Sequence, residues 1–304
     1  RGTGAVAMPV INVGARAYSK LGIGSGSTSK IRATGGGLEE GNRYIRSASP
    51  YSWRVPGKAS PVGVPYSVGK KKVAERAALE GSIEFELTAV TWGMLNSLTS
   101  NLRNVAAAEQ FVHGLYLPRG DRGYEITKGY VQSVNLSADV DGLVKGSFAI
   151  VSYNYAETTE TFDDEYGTSV AYESGFNDVI PWWKCYVESA DISNQADDIV
   201  RVTSWSLTIN NNFTFVWGCG ADAGAQEPLP VPGPLDVQLS LTLDSTCVNT
   251  PPEDVSVLDI HIDGYTIGVD NLEVDTVNFP MADPNSPTTR DLNMVQVGDI
   301  PTFA

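Results

Sequence analysis

Residues that carry most enzyme chemistry are scarce in this sequence. Among 304 residues there are two histidines, His113 and His261, and three cysteines, Cys185, Cys219 and Cys247. Without a Gly-x-Ser-x-Gly elbow neither histidine has an activated serine to serve, and both sit in plain strand or loop settings, FVHGL and DIHID. The absence of HExxH and Cys-x-x-Cys spacing argues against zinc, and three widely spaced cysteines make no disulfide framework; buried free thiols are expected. DVDG at Asp139 lacks the distal Glu of a calcium loop and is expected to be a β-turn. GIGSGSTSK at Gly22 to Lys30 lacks the glycine before the lysine that a phosphate loop needs. Glu84 and Glu86 share one side of a strand, where solvated carboxylates are far commoner than a glycosidase pair. No catalysis, cofactor or metal is expected.

Long apolar runs are also missing: no stretch of about 18 residues suits a membrane-spanning helix. Arg1 leads into small and polar residues without an apolar signal-peptide segment, and a start other than methionine fits processing, truncation or initiation at Met8. Basic residues are nearly lacking after residue 150. Up to there the chain has 18 Lys+Arg against 11 Asp+Glu, a balance of +7; beyond, 3 against 25, a balance of −22. A basic half joined to an acidic half suits head-to-tail association between copies and does not suit a nucleic-acid binder.

What is present is β pattern. In Val202 to Phe215, Trp205, Leu207 and Ile209 alternate with Val202, Ser204, Ser206 and Thr208, and Asn210, Asn211 and Asn212 then stop the alternation, as residues tolerant of left-handed angles. Phe213, Phe215 and Trp217 resume it, so a hairpin is expected. Further strands are expected at Gly81 to Leu87, Tyr130 to Leu136, Leu143 to Tyr153, Ile180 to Val187, Leu235 to Leu243, Val257 to Ile267 and Val269 to Phe279, with a Pro-rich tail after them. Lys30 to Trp53 is a candidate strand pair turning at glycine and asparagine. Met94, Leu95, Leu98, Leu102 and Val105 predict an amphipathic helix at about 91–109. Residues 47–78, rich in proline and glycine and containing Lys70, Lys71 and Lys72, predict a long exposed basic loop. The loop at 218–234, with Asp222 and Glu227, holds the corresponding place in the second half and carries only acids. The acidic run Glu157, Glu160, Asp163, Asp164 and Glu165 predicts a solvated linker.

The two halves share an order of elements. Ile83, Phe85 and Leu87 match Val237, Leu239 and Leu241 at a constant offset, and VDGL at Val140 matches VDNL at Val269. The expected fold is mainly β: two tandem β-sandwich or barrel-like units, residues 31–165 with a packed helix and 166–304, after an N-terminal arm at 1–30.

In this order, GSIEFEL with the Leu95/Leu98 helix, GYVQSVNLSADVDGLVKGSF, VTSWSLTINNNF with DVQLSLTL, and NFPMADP resemble the phage tail tube protein family, from about Lys30 onward. The resemblance implies a structural virion protein of the phage tail, assembled in the host cytoplasm. Its rings stack, and strands of neighbouring subunits continue one β-barrel around a lumen that passes DNA without binding it specifically. Partners would be other copies, other tail proteins and the passing DNA. The repeat favours a trimeric ring of pseudo-sixfold symmetry over a hexamer. Lys70 to Lys72 would meet the acidic residues Glu157, Glu160, Asp163, Asp164, Glu165, Asp222 and Glu227 of the next ring. Two other readings stand beside it: a ring protein at the tail terminus or baseplate, and a carbohydrate-binding or adhesin module, which six tryptophans would serve if Trp182, Trp183 and Trp205 were not core residues.

Overall fold

The computed structural model describes residues 18–23, 27–32, 34–40, 44–46, 72–74, 78–89, 91–93, 95–96, 111–116, 123–158, 179–193, 198–216, 228–244, 252–278, 289–296 and 300–304. It is mostly strand. The first nine strands are β1 (Tyr18–Ile23), β2 (Ser27–Arg32), β3 (Gly35–Glu40), β4 (Tyr44–Arg46), β5 (Lys72–Ala74), β6 (Leu79–Glu86), β7 (Phe111–Tyr116), β8 (Gly123–Asp139) and β9 (Lys145–Thr158). The next nine are β10 (Cys185–Glu188), β11 (Ile199–Val200), β12 (Val202–Asn210), β13 (Thr214–Val216), β14 (Leu229–Val231), β15 (Asp236–Asp244), β16 (Asp254–Ile262), β17 (Tyr265–Asn278) and β18 (Thr289–Gln296); β19 (Thr302–Phe303) ends the chain.

These two sets of nine pair by one scheme, antiparallel throughout. In the first set β2 lies on β1, β1 on β7, β7 on β8, β8 on β9, β9 on β6 and β6 on β3. In the second, β11 lies on β10, β10 on β16, β16 on β17, β17 on β18, β18 on β15 and β15 on β12. Even the small ribbons correspond, β4 with β5 and β13 with β14, each set apart from the main sheet. One further pairing, β8 with β12, joins the sets into a single 15-stranded sheet.

Alternation explains the core. On β6, Leu79, Ile83 and Phe85 are buried; on β12, Trp205, Leu207 and Ile209; on β15, Val237, Leu239, Leu241 and Leu243, with polar partners between them facing outward. One apolar cluster runs through both sets. At the start of the expected helix, residues 89, 91–93, 95 and 96 are helical, and its remainder lies outside the described residues. Thr88 and Thr91 cap it reciprocally: the Thr91 N–H donates to Thr88 Oγ1 (3.2 Å) and the Thr88 N–H to Thr91 Oγ1 (2.6 Å). Trp92 and Leu95 are buried, and Trp92 stacks on Tyr265 of β17 at 4.8 Å, so the helix of the first set packs on the second.

Several expectations are corrected. Asn210 to Asn212 do not close a hairpin, because β12 is flanked by β8 and β15 and the chain leaves the sheet to form β13. Lys30 to Trp53 is no strand pair either: β3 joins β6 and β4 joins β5. Ile180 to Val187 begins with a 3-10 turn at Trp182–Lys184, set off by Pro181, before β10; this leaves Trp183 70% exposed while Trp205 is buried as expected. Val257 to Ile267 is broken by a two-residue turn, Asp263 (φ 47) and Gly264 (φ 94), the left-handed pair that a tight hairpin requires. The VDGL–VDNL match is out of step, since Val140 follows β8 in a turn whereas Val269 lies within β17. The tail contains β18 and β19.

Candidate functional site

The feature that distinguishes this chain is the join between the two sets. Strand β12 runs beside β8 from Ser204 opposite Asp139 to Asn210 opposite Ser133. Leu207 faces Leu136 and Ile209 faces Val134, all four buried, so the seam is dry on its inner side. The polar side is uncharged except at its end: Ser133, Asn135 and Ser137 on β8 stand opposite Asn210, Thr208 and Ser206, and Asp139 opposite Ser204 is its one carboxylate. At the end of the seam the three asparagines each have a separate task. Asn210 Nδ2 donates to Asp236 Oδ2 (3.2 Å) on β15. Buried Asn211 donates its N–H to Gln132 O (2.8 Å) and its Nδ2 to Val131 O (3.3 Å), extending the hold on β8. Asn212, at φ 51, turns the chain outward, and its Nδ2 donates to Pro234 O (2.9 Å).

From that turn, Phe213 and Phe215 lead into the β13–β14 ribbon and pack over strands of the other set. Tyr130 of β8 meets the two rings at 5.8 and 5.3 Å, and Tyr153 of β9 meets Phe215 at 5.1 Å, all edge-on. The second set's ribbon is therefore anchored on the first set's strands.

Among the described residues, strand edges on β17 and β3 lack a full partner. On β17, β18 runs along one edge; along the other the pairing with β16 ends at Glu273, the Val274 N–H still donates to Glu253 O (2.9 Å), and no strand among the described residues continues beyond it. Val274 and Val277 there are only half-buried, and Glu273 and Asp275 are exposed. On β3, β6 covers one edge, and no strand among the described residues covers the other. Lys72 begins β5, opposite Arg46, and Glu157 lies in β9, so the acidic run starts inside a strand. Lys70, Lys71, Glu160, Asp163, Asp164, Glu165, Asp222 and Glu227 lie outside the described residues.

A model of the phage tail tube protein family matches residues 71–250, more than half of the chain. The chain belongs to the phage tail tube protein family. It is thus a structural component of a phage tail, in a family whose members assemble with copies of themselves and with other virion proteins. No curated protein matches the chain. Among solved structures, a chain described as "Virion of native gene transfer agent (GTA) particle" superposes with a TM-score of 0.30 at 11% identity, over 40% of this tail tube chain and 97% of that one.

Groups that would suggest other chemistry have local explanations. His261 lies between Glu188 (Nε2 to Oε2, 3.1 Å) and Thr266 (Nδ1 to Oγ1, 3.1 Å), with its ring stacked on Tyr186 at 4.3 Å. Cys185 is free and half-buried; burial first, and the Asp263 charge second, push its thiol up to about 12.

Proposed function

We propose that this chain is the major tube subunit of the tail, polymerising as stacked rings around a lumen that conducts DNA. The observation that carries this reading is the β8–β12 seam, a within-chain model of the junction that a ring must repeat between subunits. With two such sectors per chain, a ring of three chains has pseudo-sixfold symmetry. Closing the sheet on itself also gives its open edges partners, which long strand edges need to avoid uncontrolled association. Lys70 to Lys72 meet acidic residues of the next ring, including Asp163, Asp164, Asp222 and Glu227. An acidic lumen repels phosphates, so DNA slides without sticking. Assembly takes place in the host cytoplasm.

Negative-stain electron microscopy of the purified protein across concentration and salt tests this reading. Tubes or rings with a central hole are expected. A persistent monomer at every condition would favour the adhesin-type alternative, for which exposed Trp183 would be the first residue to substitute in a glycan-binding assay.

A further inference from the structure

We infer that the ring junction pairs the free edge of β3 in one copy with the stretch of β17 beyond Glu273 in the next, antiparallel, and that the β4–β5 ribbon of the first copy lies over the acidic outer side of that stretch. The inference rests on the ring reading above and specifies its interface. Every strand pairing of the first set has its counterpart in the second except β8 with β12, whose counterpart would be β17 with a β3. A single chain has its own β3 committed at the far end of the sheet, so the occupant is a second copy.

Local contrasts support the assignment. Val274 faces Met294 on β18 as Leu136 faces Gly146 on β9. Leu136, which lies opposite Leu207 of β12, is 1% exposed, whereas Val274 and Val277 are only half-buried, and past the bond from Val274 N–H to Glu253 O no described strand lies beside Val277. Supplying β3 would carry the ladder on beyond Val274 and seal Val277.

Charge then distinguishes this junction from the internal one. Where β8 carries Asn135 and Ser137 before its one carboxylate, Asp139, β17 carries the exposed carboxylate Glu273 and then Asp275 in the bulge before Thr276. Strand β3 itself carries Glu39 and Glu40, so attraction must come from the ribbon, which has Arg46 and Lys72 at paired positions. The β13–β14 ribbon already shows the required placement, because Phe213 and Phe215 seat it on β8 and β9. By the same scheme β4–β5 sits on β17 and β18 of the neighbour. The base of the basic arm thus acts sideways within a ring, leaving the loop beyond it for contact along the axis.

Two experiments on the full chain test this. In a background with Cys185, Cys219 and Cys247 replaced by serine, Thr276→Cys, on the outer face beside Asn293, is combined in turn with Gly35→Cys, Gly37→Cys and Glu39→Cys, the β3 positions opposite Glu84, Ser82 and Glu80, oxidised under assembling conditions and run without reductant. At least one pair should give linked dimers and trimers, reversed by reductant. Separately, Arg46→Glu with Lys72→Glu should raise the concentration needed for ring formation at least tenfold, and adding Glu273→Lys with Asp275→Lys should restore it. Rings by microscopy with no interchain link in any pair and no rescue would overturn the β3–β17 junction and leave the ring reading intact. Absence of rings from the unsubstituted protein under every condition would overturn both.

Discussion

Strands β12 and β3 occupy the same place in the two sets, yet their situations differ. β12 is enclosed by β8 and β15 and buries Trp205, Leu207 and Ile209; β3 has β6 on one side only and opens with three glycines. The strands beside them in the proposed ring differ likewise: β8 is paired along both edges and its seam carries one carboxylate, Asp139, at its end, while the end of β17 is half-exposed and carries Glu273 and Asp275. Within a chain the seam can be permanent and apolar. Between chains it must form from soluble subunits, and glycine, charge and exposed ladder are compatible with that requirement.

The largest expected effect breaks the comparison directly. Leu207→Ala should lower the unfolding free energy of the unassembled subunit by about 2–5 kcal/mol in urea denaturation, because the side chain is buried on both flanks. Val277→Ala should change subunit stability far less and instead weaken ring formation; equal losses in the subunit would mean that β17 is already covered. Next, Gly146→Ala sharpens the contrast between β9 and β18. A methyl group there would lie 2.5 Å from Phe85 Cζ and 2.9 Å from Leu136 Cδ2, a site where the large ring fills the space of its absent partner. On the equivalent strands Leu239 faces Met294, two side chains of middling size. A loss of about 1–3 kcal/mol is expected for Gly146→Ala, by the same denaturation, and none above about 1.5 kcal/mol for Met294→Leu.

Smaller effects follow. Asp263→Ala, at φ 47, should cost about 1–2 kcal/mol in thermal unfolding. Lys184→Ala, which removes the exposed 2.6 Å pair with Asp263, should cost under about 1 kcal/mol, separating the turn from the ion pair. Reversing Lys70, Lys71 and Lys72 to glutamate should shorten tubes while single rings persist; unchanged tube length would place stacking elsewhere. Finally, the Cys185 thiol, raised to about 12, should react slowly with a thiol reagent at pH 8 and accelerate as pH approaches that value.

The strands with clear two-residue alternation, β6, β8, β9, β12 and β15, were legible because a one-sided core writes its period into the sequence. The asparagines at 210–212 were legible as a stop but not as an exit, since which strand lies beside β12 is decided by β8, far away in sequence. Asp263 and Gly264 interrupt an alternation that continues on both sides, so one apparent strand concealed a hairpin. β18 was lost because only Leu292, Met294 and Gln296 of TRDLNMVQ are buried, and the last is polar. The halves were legible as a repeat through Ile83, Phe85 and Leu87 and their matches. The correspondence of all nine strands was not, because pairing is a long-range property that composition does not record. Neither was the edge of β17 beyond Val274, which no strand among the described residues covers.

The central claim is that one chain supplies two consecutive sectors of a ring. Native mass measurement of the smallest closed ring, selected by microscopy for a central hole, tests it most directly. Three chains per ring is the predicted result; six chains per ring would contradict it.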